Sequence, residues 1–213
     1  MPADEFIPLT RGAAQAIWRI RESVSELETL VGPERCQDPR YRAIRHWGRR
    51  RTWLAGRLAV AYLLQQLGMP TLRLLTDQAS GRPYIQNDVG WISISHTQHI
   101  ALAAFSILGP IGVDIEVPTS RLHRVRSRFL HPHDWSTPHT PACLCMLWCI
   151  KEAVYKAAHH PTLALKQIRV ETLRSLGPAR WEAMATAPQI KFRVRLRSHT
   201  GHFEALAEPL RPS

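Results

Sequence analysis

The chain has 213 residues, 45% of them apolar, which is enough for one large soluble domain or for two small halves that share a core. Its longest apolar stretch, 100–113, is interrupted by Gly109-Pro110 and is too short to span a bilayer, and its acidic first residues lack the order of a secretory signal, so we expect a cytoplasmic protein. The net charge of +11, with many more arginines than lysines, favours a nucleic acid, a phosphorylated small molecule or an acidic protein as partner.

The first half of the chain predicts two helices and several short strands. Residues 23–30 predict a short helix, because Ser23 and Glu26 have the spacing of a capping box. Residues 41–67 predict a long helix, in which apolar side chains recur at helical spacing until a Gly-Met-Pro sequence ends it. Alternation and β-branched side chains predict strands at 17–20, 72–75, 84–85, 91–95 and 100–107, with a turn over 77–83.

The second half predicts strands on either side of one more long helix. Residues 111–117 alternate, so Asp114 and Glu116 share one face of a strand. Residues 142–159 predict the second long helix, which ends before Pro161. Further strands are predicted at 166–170, 191–196 and 201–206, a helix at 121–128 and an exposed loop at 131–141. The whole chain predicts an α+β fold.

Cysteines and histidines are concentrated in the second half. Cys143, Cys145 and Cys149 are consistent with a zinc site that includes His139, or with small buried side chains in a reducing compartment. Burial is favoured, because the spacing is not that of a C-x-x-C pair and no second pair is present. The loop histidines of 131–139 have no ordered spacing, so we expect them to be exposed.

Two charged motifs in the second half have the chemistry of a metal and phosphate site. Asp114 and Glu116 point to the same side of a predicted strand, where a hard divalent cation would relieve their repulsion. Glu152 and Lys156 lie one turn apart on the predicted helix, where Lys151 adds a further charge to a largely apolar element. Taken alone, such motifs are more often an exposed edge strand or a surface salt bridge.

Polar residues of the first half have the chemistry of an anion site. Ser95-His96 ends a predicted strand, where adjacent side chains point to opposite faces, so a serine–histidine nucleophile pair is geometrically poor. Backbone N–H groups, a hydroxyl and an imidazole at a strand end suit a bound phosphate better. The arginines at 49–51 and Arg82 are candidates to join them, or are solvated charges.

In this order, the motifs resemble those of the Sfp-type 4′-phosphopantetheinyl transferase superfamily. That family has a Ser-His pair at a strand end, then a G-[IV]-D-x-E strand, and then a W-x-x-K-E-[AS]-x-x-K helix. The corresponding segments here are Ser95-His96, Gly112–Glu116 and Trp148–Lys156, with further similarity in Arg51–Ala55 and Ser80–Pro83. The resemblance covers roughly residues 45–160.

The resemblance implies two similar α+β halves, here 1–108 and 109–213, in a pseudo-twofold arrangement. Each would place a long helix against a small antiparallel sheet, with coenzyme A in the cleft between them. It implies a cytoplasmic, monomeric enzyme that uses Mg²⁺ to transfer 4′-phosphopantetheine from coenzyme A to a serine of an apo acyl, polyketide or peptidyl carrier protein, releasing 3′,5′-adenosine bisphosphate. Carrier proteins are generally acidic, so the positive charge of this chain would attract them. Neither nucleic acid nor membrane is an expected partner.

The resemblance also assigns residues to the parts of the site. The magnesium ligands would be Asp114, Glu116 and Glu152. The catalytic residues would be Glu152, as general base for the carrier serine, and Lys156, at the pyrophosphate. The other contacts to coenzyme A would come from Lys151 at the pyrophosphate and, around the adenosine 3′-phosphate, from Arg51, Arg82, Ser95 and His96.

One segment departs from the family pattern. Relatives often carry a glutamate between the two acidic motifs, whereas residues 128–135 here hold Asp134 and no glutamate, which predicts a difference in carrier docking or local structure. Two other hypotheses stay open. One is a non-catalytic binder of carrier proteins or nucleotides, and the other is a nucleic-acid-binding protein or magnesium nuclease.

Overall fold

The computed structural model describes residues 5–10, 12–77, 80–136, 139–160 and 162–210. Within them the fold is α+β with antiparallel sheets, which confirms the predicted class. The chain separates into two compact units, Met1–Ile107 and Leu108–Ser213. In the described part of the chain, no helix is both long enough and apolar enough to cross a membrane. The pseudo-twofold relation between the halves stays a prediction.

The first unit packs helices onto an antiparallel sheet. Its helices are α1 (Val24–Val31), α2 (Pro33–Cys36), α3 (Pro39–Ala43) and α4 (Trp47–Gln66). Its strands are β1 (Glu5–Thr10), β2 (Ala13–Arg19), β3 (Leu74–Thr76), β4 (Pro83–Ile85), β5 (Trp91–His96) and β6 (Ile100–Ser106). The sheet has the order β1-β2-β6-β5, and β3 pairs separately with β4. Because α4 crosses this sheet, Leu54, Leu58 and Leu63 share one apolar core with Trp18 and Phe105.

The second unit also packs a long helix onto an antiparallel sheet. Its helices are α5 (Ser120–Val125) and α6 (Pro141–Ala158). Its strands are β7 (Gly112–Glu116), β8 (Arg169–Gly177), β9 (Arg180–Ala187), β10 (Ile190–His199) and β11 (His202–Pro209), in the sheet order β7-β11-β10-β9-β8. The apolar face of α6, with Leu144, Ile150 and Val154, packs into a core that includes Phe192 and Phe203.

The helix ends follow from local sequence. The predicted capping box of α1 is confirmed, because Ser23 Oγ accepts from the N–H of Glu26 and the Glu26 carboxylate accepts from the N–H of Ser23. At the first turn of α6, the side chain of Thr140 accepts from the N–H of Cys143 and caps the helix. α6 ends where His159 adopts a left-handed conformation with φ of 51°. The predicted stop, Pro161, lies outside the described residues.

Three predicted boundaries are wrong. The strand predicted at 166–170 begins only at Arg169, after a 3₁₀ helix at Leu165–Gln167. The helix predicted over 41–67 is divided, because Ile44 adopts an extended conformation with ψ of 111° and α4 begins only at Trp47. The loop predicted over 131–141 contains a 3₁₀ helix, Pro132–Ser136, in which the side chain of Asp134 is buried. Parts of that loop (137–138) and of the predicted turn (78–79) lie outside the described residues.

The sequence did not predict β1 and β9. In β9 the buried face consists of Ala183, Ala185 and Ala187, whose small side chains give little apolar alternation. The cysteines agree with the favoured interpretation, since Cys145 and Cys149 are buried as free thiols in the core around α6.

Candidate active site

Strand β7 brings two carboxylates to the face of the sheet that α6 covers. Gly112 shows how closely the two elements approach, because a Cβ atom there would lie 2.0 Å from the carbonyl oxygen of Ala153. Asp114 and Glu116 follow at alternate positions of the same strand, so their side chains leave β7 on that face. Glycine at position 112 therefore lets α6 pack directly beside the two acids.

Helix α6 supplies the other side of this cluster. Lys156 donates from Nζ to Oδ1 of Asp114 at 2.7 Å and to the carbonyl oxygen of Val113 at 2.9 Å. Glu152 lies one turn earlier on α6 and is half-buried. The structure thus holds the acids of β7 and the acid–lysine pair of α6 in one place.

The carboxylates of this cluster affect one another's protonation. Burial raises the pKa of Glu152, and the nearby Lys156 ammonium lowers it. Asp114 and Glu116 raise the pKa of Glu152 further. Burial likewise raises the pKa of Glu116, while a hydrogen bond from the N–H of Val117 lowers it and Asp114 raises it. Because like charges must be close to act in this way, the three acids form one negatively charged site.

Lys151 lies in the core and not in the cluster. Its side chain is 0% exposed, and its Nζ forms an ion pair with Oδ2 of Asp134 at 2.7 Å. It also donates to the carbonyl oxygen of Ile168. Burial lowers the pKa of Lys151, and the hydrogen bond and charge of Asp134 raise it. Lys151 has no exposed surface for coenzyme A, so we remove it from the expected phosphate contacts.

Asp134 therefore has a structural role in the segment that departs from the family pattern. Its Oδ2 accepts both from Lys151 and from the N–H of His131, at 2.8 Å in the second case. The pair ties the 3₁₀ helix before α6 to the middle of α6, at the residue next to Glu152. An aspartate in this segment thus positions α6 from the buried side.

A basic cavity lies in the first unit. Two adjoining lobes of about 630 Å³ and about 510 Å³ share Arg40, Trp53, Arg57 and Thr76. The guanidinium of Arg57 lies 3.3 Å from the ring centroid of Trp53, in a cation–π contact. Burial lowers the pKa of Arg57 to about 9, which leaves the guanidinium charged at neutral pH. Among the described residues, four arginines and three acidic residues line the larger lobe, and the smaller lobe has two arginines and no acid. The wall shared by the lobes thus combines an aromatic ring with positive charge, which suits a phosphorylated ligand.

The predicted nucleotide contacts around Ser95 and Arg82 lie at or beside this cavity. His96 lines the smaller lobe together with Gly81 and Pro83. Ser95 precedes it on β5 and is buried. Arg82 is half-buried between two lining residues, but among the described residues it lines neither lobe.

Arg51 has a different position from the one expected. It donates from Nε to the carbonyl oxygen of Glu22 at 2.7 Å and from Nη2 to that of Ile20 at 2.9 Å. These bonds join α4 to the chain that leaves β2. We therefore assign Arg51 to the packing of the first unit and not to the cavity.

The sequence did not identify Arg40 and Arg57 as candidate contacts. The available signal was the four-residue spacing of Trp53 and Arg57, which places an aromatic ring and a guanidinium on one face of α4. Apolar periodicity over 41–67 assigns Trp53 to the core, whereas the structure leaves it half-buried at the cavity.

Comparison with protein-family models gives two matches. Residues 110–201 match the 4′-phosphopantetheinyl transferase superfamily, and residues 42–106 match the 4′-phosphopantetheinyl transferase N-terminal domain. The chain belongs to the 4′-phosphopantetheinyl transferase superfamily. It is a transferase that moves phosphopantetheine, and enzymes of this family act on coenzyme A and carrier proteins. A comparison with curated proteins found no match.

The transferase presents donors that fit a divalent metal ion, which its family generally uses. The acidic cluster of Asp114, Glu116 and Glu152 offers only carboxylate oxygens, the donors that hard cations prefer. Within the described residues, these three are not a group whose ligand atoms all lie within 4.8 Å of one another. Magnesium suits such a wider arrangement, because it binds through few protein carboxylates and keeps several waters.

Proposed function

We propose that this transferase moves 4′-phosphopantetheine from coenzyme A to a serine of an apo acyl or peptidyl carrier protein, using Mg²⁺ and releasing 3′,5′-adenosine bisphosphate. The observation that carries the proposal is the cluster of Asp114, Glu116 and Glu152 with Lys156 beside it. A negative site with one adjacent ammonium suits a cation and a pyrophosphate together.

The proposed reaction exchanges one phosphorus–oxygen bond for another. The serine Oγ attacks the phosphorus that bears pantetheine, the bond from this phosphorus to the adenosine phosphate breaks, and the serine proton passes to a base. Glu152 is the proposed base, directly or through water, and burial raises its pKa toward the range in which a base works near neutral pH. Lys156 would stabilise the charge on the pyrophosphate oxygens. When bound at the acids, Mg²⁺ would neutralise and orient the pyrophosphate.

The basic cavity of the first unit is the proposed site for the adenosine and its 3′-phosphate. Trp53 and Arg57 provide a ring and a charge at its shared wall, and His96 lines the smaller lobe. Arg82 and Ser95 lie next to that lobe and stay in the proposal as predicted contacts.

The proposed macromolecular partner is an acidic carrier protein. The net charge of +11 favours its attraction over that of a basic protein. Exposed arginines on α5 and the turn after it add a basic surface in the second unit: Arg121, Arg124 and Arg128. We expect the enzyme to work as a cytoplasmic monomer.

Intact-mass spectrometry of an apo carrier tests the proposal. With the transferase, coenzyme A and Mg²⁺, the carrier should gain one phosphopantetheine, and an equal amount of 3′,5′-adenosine bisphosphate should appear. A non-catalytic binder would retain coenzyme A without changing the carrier's mass. Absence of the adduct on fatty-acid, polyketide and nonribosomal-peptide carriers alike would contradict the proposal.

A further inference from the structure

A second cluster of metal-ligand type lies at the turn between β10 and β11. β10 ends at His199 and β11 begins at His202, and these two residues are directly paired across the hairpin. Gly201 has φ of +91°, a conformation that the two-residue connection requires and that glycine adopts without strain. Glu204 follows two positions after His202, so it lies on the same face of the strand. Strand pairing and period two therefore place all three side chains together.

The three side chains lie close enough to bind one metal ion together. Nε2 of His199 lies 3.3 Å from Oε2 of Glu204, and Nε2 of His202 lies 3.5 Å from Oε1. The three ligand atoms lie within 4.8 Å of one another. Ligands at about 2.0–2.2 Å from a tetrahedral zinc ion are about 3.3–3.5 Å from each other. Each observed N···O distance is near that spacing, although the two histidines face different oxygens of Glu204.

The cluster combines one buried ligand with one exposed ligand. The two imidazole rings stack with centroids 4.7 Å apart and planes within 6°. Glu204 is buried at 5% exposure, whereas His199 is exposed. The buried carboxylate has little freedom to lose on binding a metal, and solvent can reach the site past His199. Because a metal lies near the plane of each imidazole that binds it, binding would turn the exposed His199 ring out of the stack.

This cluster is separate from the acids of β7. In the register of β11 with β7, Glu204 is the partner of Ile115, and Glu116 and Asp114 are partners of Phe203 and Ala205. Because paired residues point to the same side and neighbours alternate, Glu204 faces away from the side of the sheet that carries the two acids. A metal at one cluster does not share ligands with a metal at the other.

We propose that His199, His202 and Glu204 form a second metal site, which takes a borderline transition-metal ion such as Zn²⁺ and leaves its remaining coordination to water. Two imidazoles and one carboxylate are ligands that zinc accepts and that magnesium does not prefer. The site ties the ends of β10 and β11 together. It does not depend on the proposed transfer reaction.

Competition against a chromophoric zinc indicator tests the site on the full-length protein, with excess Mg²⁺ to fill the acidic cluster and a non-chelating reductant present. We expect one Zn²⁺ per chain. His199→Gln and His202→Gln should each weaken binding at least tenfold, because each removes one of three protein ligands. His123→Gln, at an exposed histidine of α5, is the matched control and should leave binding unchanged. Unchanged binding in the first two variants, or no binding to the wild type, overturns the proposal.

Cobalt substitution and hydrogen exchange supply a second readout. Co²⁺ bound at this site should show tetrahedral d–d absorption without thiolate charge transfer, and Zn²⁺ should slow amide exchange at residues 199–204. Thiolate bands, or slowed exchange around Cys143 instead of the hairpin, would place the metal elsewhere and overturn the assignment. Circular dichroism of both variants should match the wild type, because His199 and His202 lie at a surface turn.

Discussion

The two units both pack a long helix on an antiparallel sheet, but their candidate sites have opposite charge. In the first, α4 packs on an antiparallel sheet and turns Trp53 and Arg57 toward a basic cavity. In the second, α6 packs on an antiparallel sheet and meets the acids of β7 with Glu152 and Lys156. The packing scheme is shared, and a few side chains at the edge of each core decide which ligand the unit suits.

The units also differ in how their long helix approaches the sheet. In the first unit, a Cβ atom at Gly56 of α4 would meet a methyl group of Ile94 at 3.1 Å, a side-chain atom that can move. In the second, a Cβ at Gly112 would meet main-chain atoms of α6, beginning with the oxygen of Ala153 at 2.0 Å. The acidic site therefore depends on a close approach of α6 to β7 that tolerates no added atom. In the first unit, the side chain that an added atom on α4 would meet can move aside.

The largest expected effect is on catalysis in the second unit. Glu152→Gln removes a proposed metal ligand and the proposed base, so kcat/KM for carrier modification should fall at least about 10⁴-fold, or about 5 kcal/mol or more. Circular dichroism and the free energy of unfolding should stay near wild type. Glu182→Gln, on β9 with surface ion pairs to Arg174 and Arg193, should retain activity. Near-normal turnover in Glu152→Gln would refute its proposed role.

The next largest effect concerns the buried ion pair behind the acidic site. Lys151→Met leaves the Asp134 carboxylate buried without its cation, so the free energy of unfolding should fall by about 3–4 kcal/mol in denaturant titrations. Lys156→Met should lose less, because the Lys156 side chain is 26% exposed. Adding Asp134→Leu to Lys151→Met should recover most of the stability, since the uncompensated charge is then gone. No recovery would mean that the loss arises from packing instead.

Two glycine variants test how closely the long helix approaches the sheet in each unit. Gly112→Ala should lower the free energy of unfolding by about 2–3 kcal/mol and lower transfer, because α6 must move away from β7. Gly56→Ala should change stability by less than about 1 kcal/mol, since the helix preference of alanine offsets a contact that can relax. Thermal unfolding of the two variants side by side measures the difference. Equal losses would show that the two approaches are equally tight.

The smallest expected effect is on nucleotide binding in the first unit. Arg57→Ala removes the charge stacked on Trp53 and should raise the KM for coenzyme A about tenfold, or about 1.4 kcal/mol, with little change in kcat. Arg51→Ala should change KM less and stability more, because Arg51 bonds the carbonyl oxygens of Glu22 and Ile20. Steady-state kinetics at saturating carrier protein separates the two outcomes. A KM increase that is larger for Arg51→Ala would reverse the assignment.

The sequence predicted the acidic site far better than the basic cavity. Asp114, Glu116, Glu152 and Lys156 lie on one strand and one helix whose patterns are strong, so period two and the one-turn spacing already place them on shared faces. The cavity is built from residues of α2, α3, α4, β3, β4 and β5, which only the tertiary fold brings together.

Burial was the other property that the sequence did not reveal. Lys151 stands between Ile150 and Glu152 in a charged motif, and its charge favours the surface. It is buried because Asp134, which lies within a loop-like sequence rich in proline and histidine, offers a partner that no local pattern indicates. The hairpin ligands His199, His202 and Glu204 were missed because they require the β10–β11 pairing.

Magnesium dependence is the measurement that most directly tests the division of charge between the units. The half-saturating Mg²⁺ concentration for carrier modification would be compared in the wild type, Glu116→Gln and Arg57→Ala, with coenzyme A saturating in each case. We predict that Glu116→Gln raises this concentration at least tenfold and that Arg57→Ala leaves it within about twofold of wild type. The same Mg²⁺ requirement in Glu116→Gln and the wild type would contradict the placement of the metal at the acids of β7.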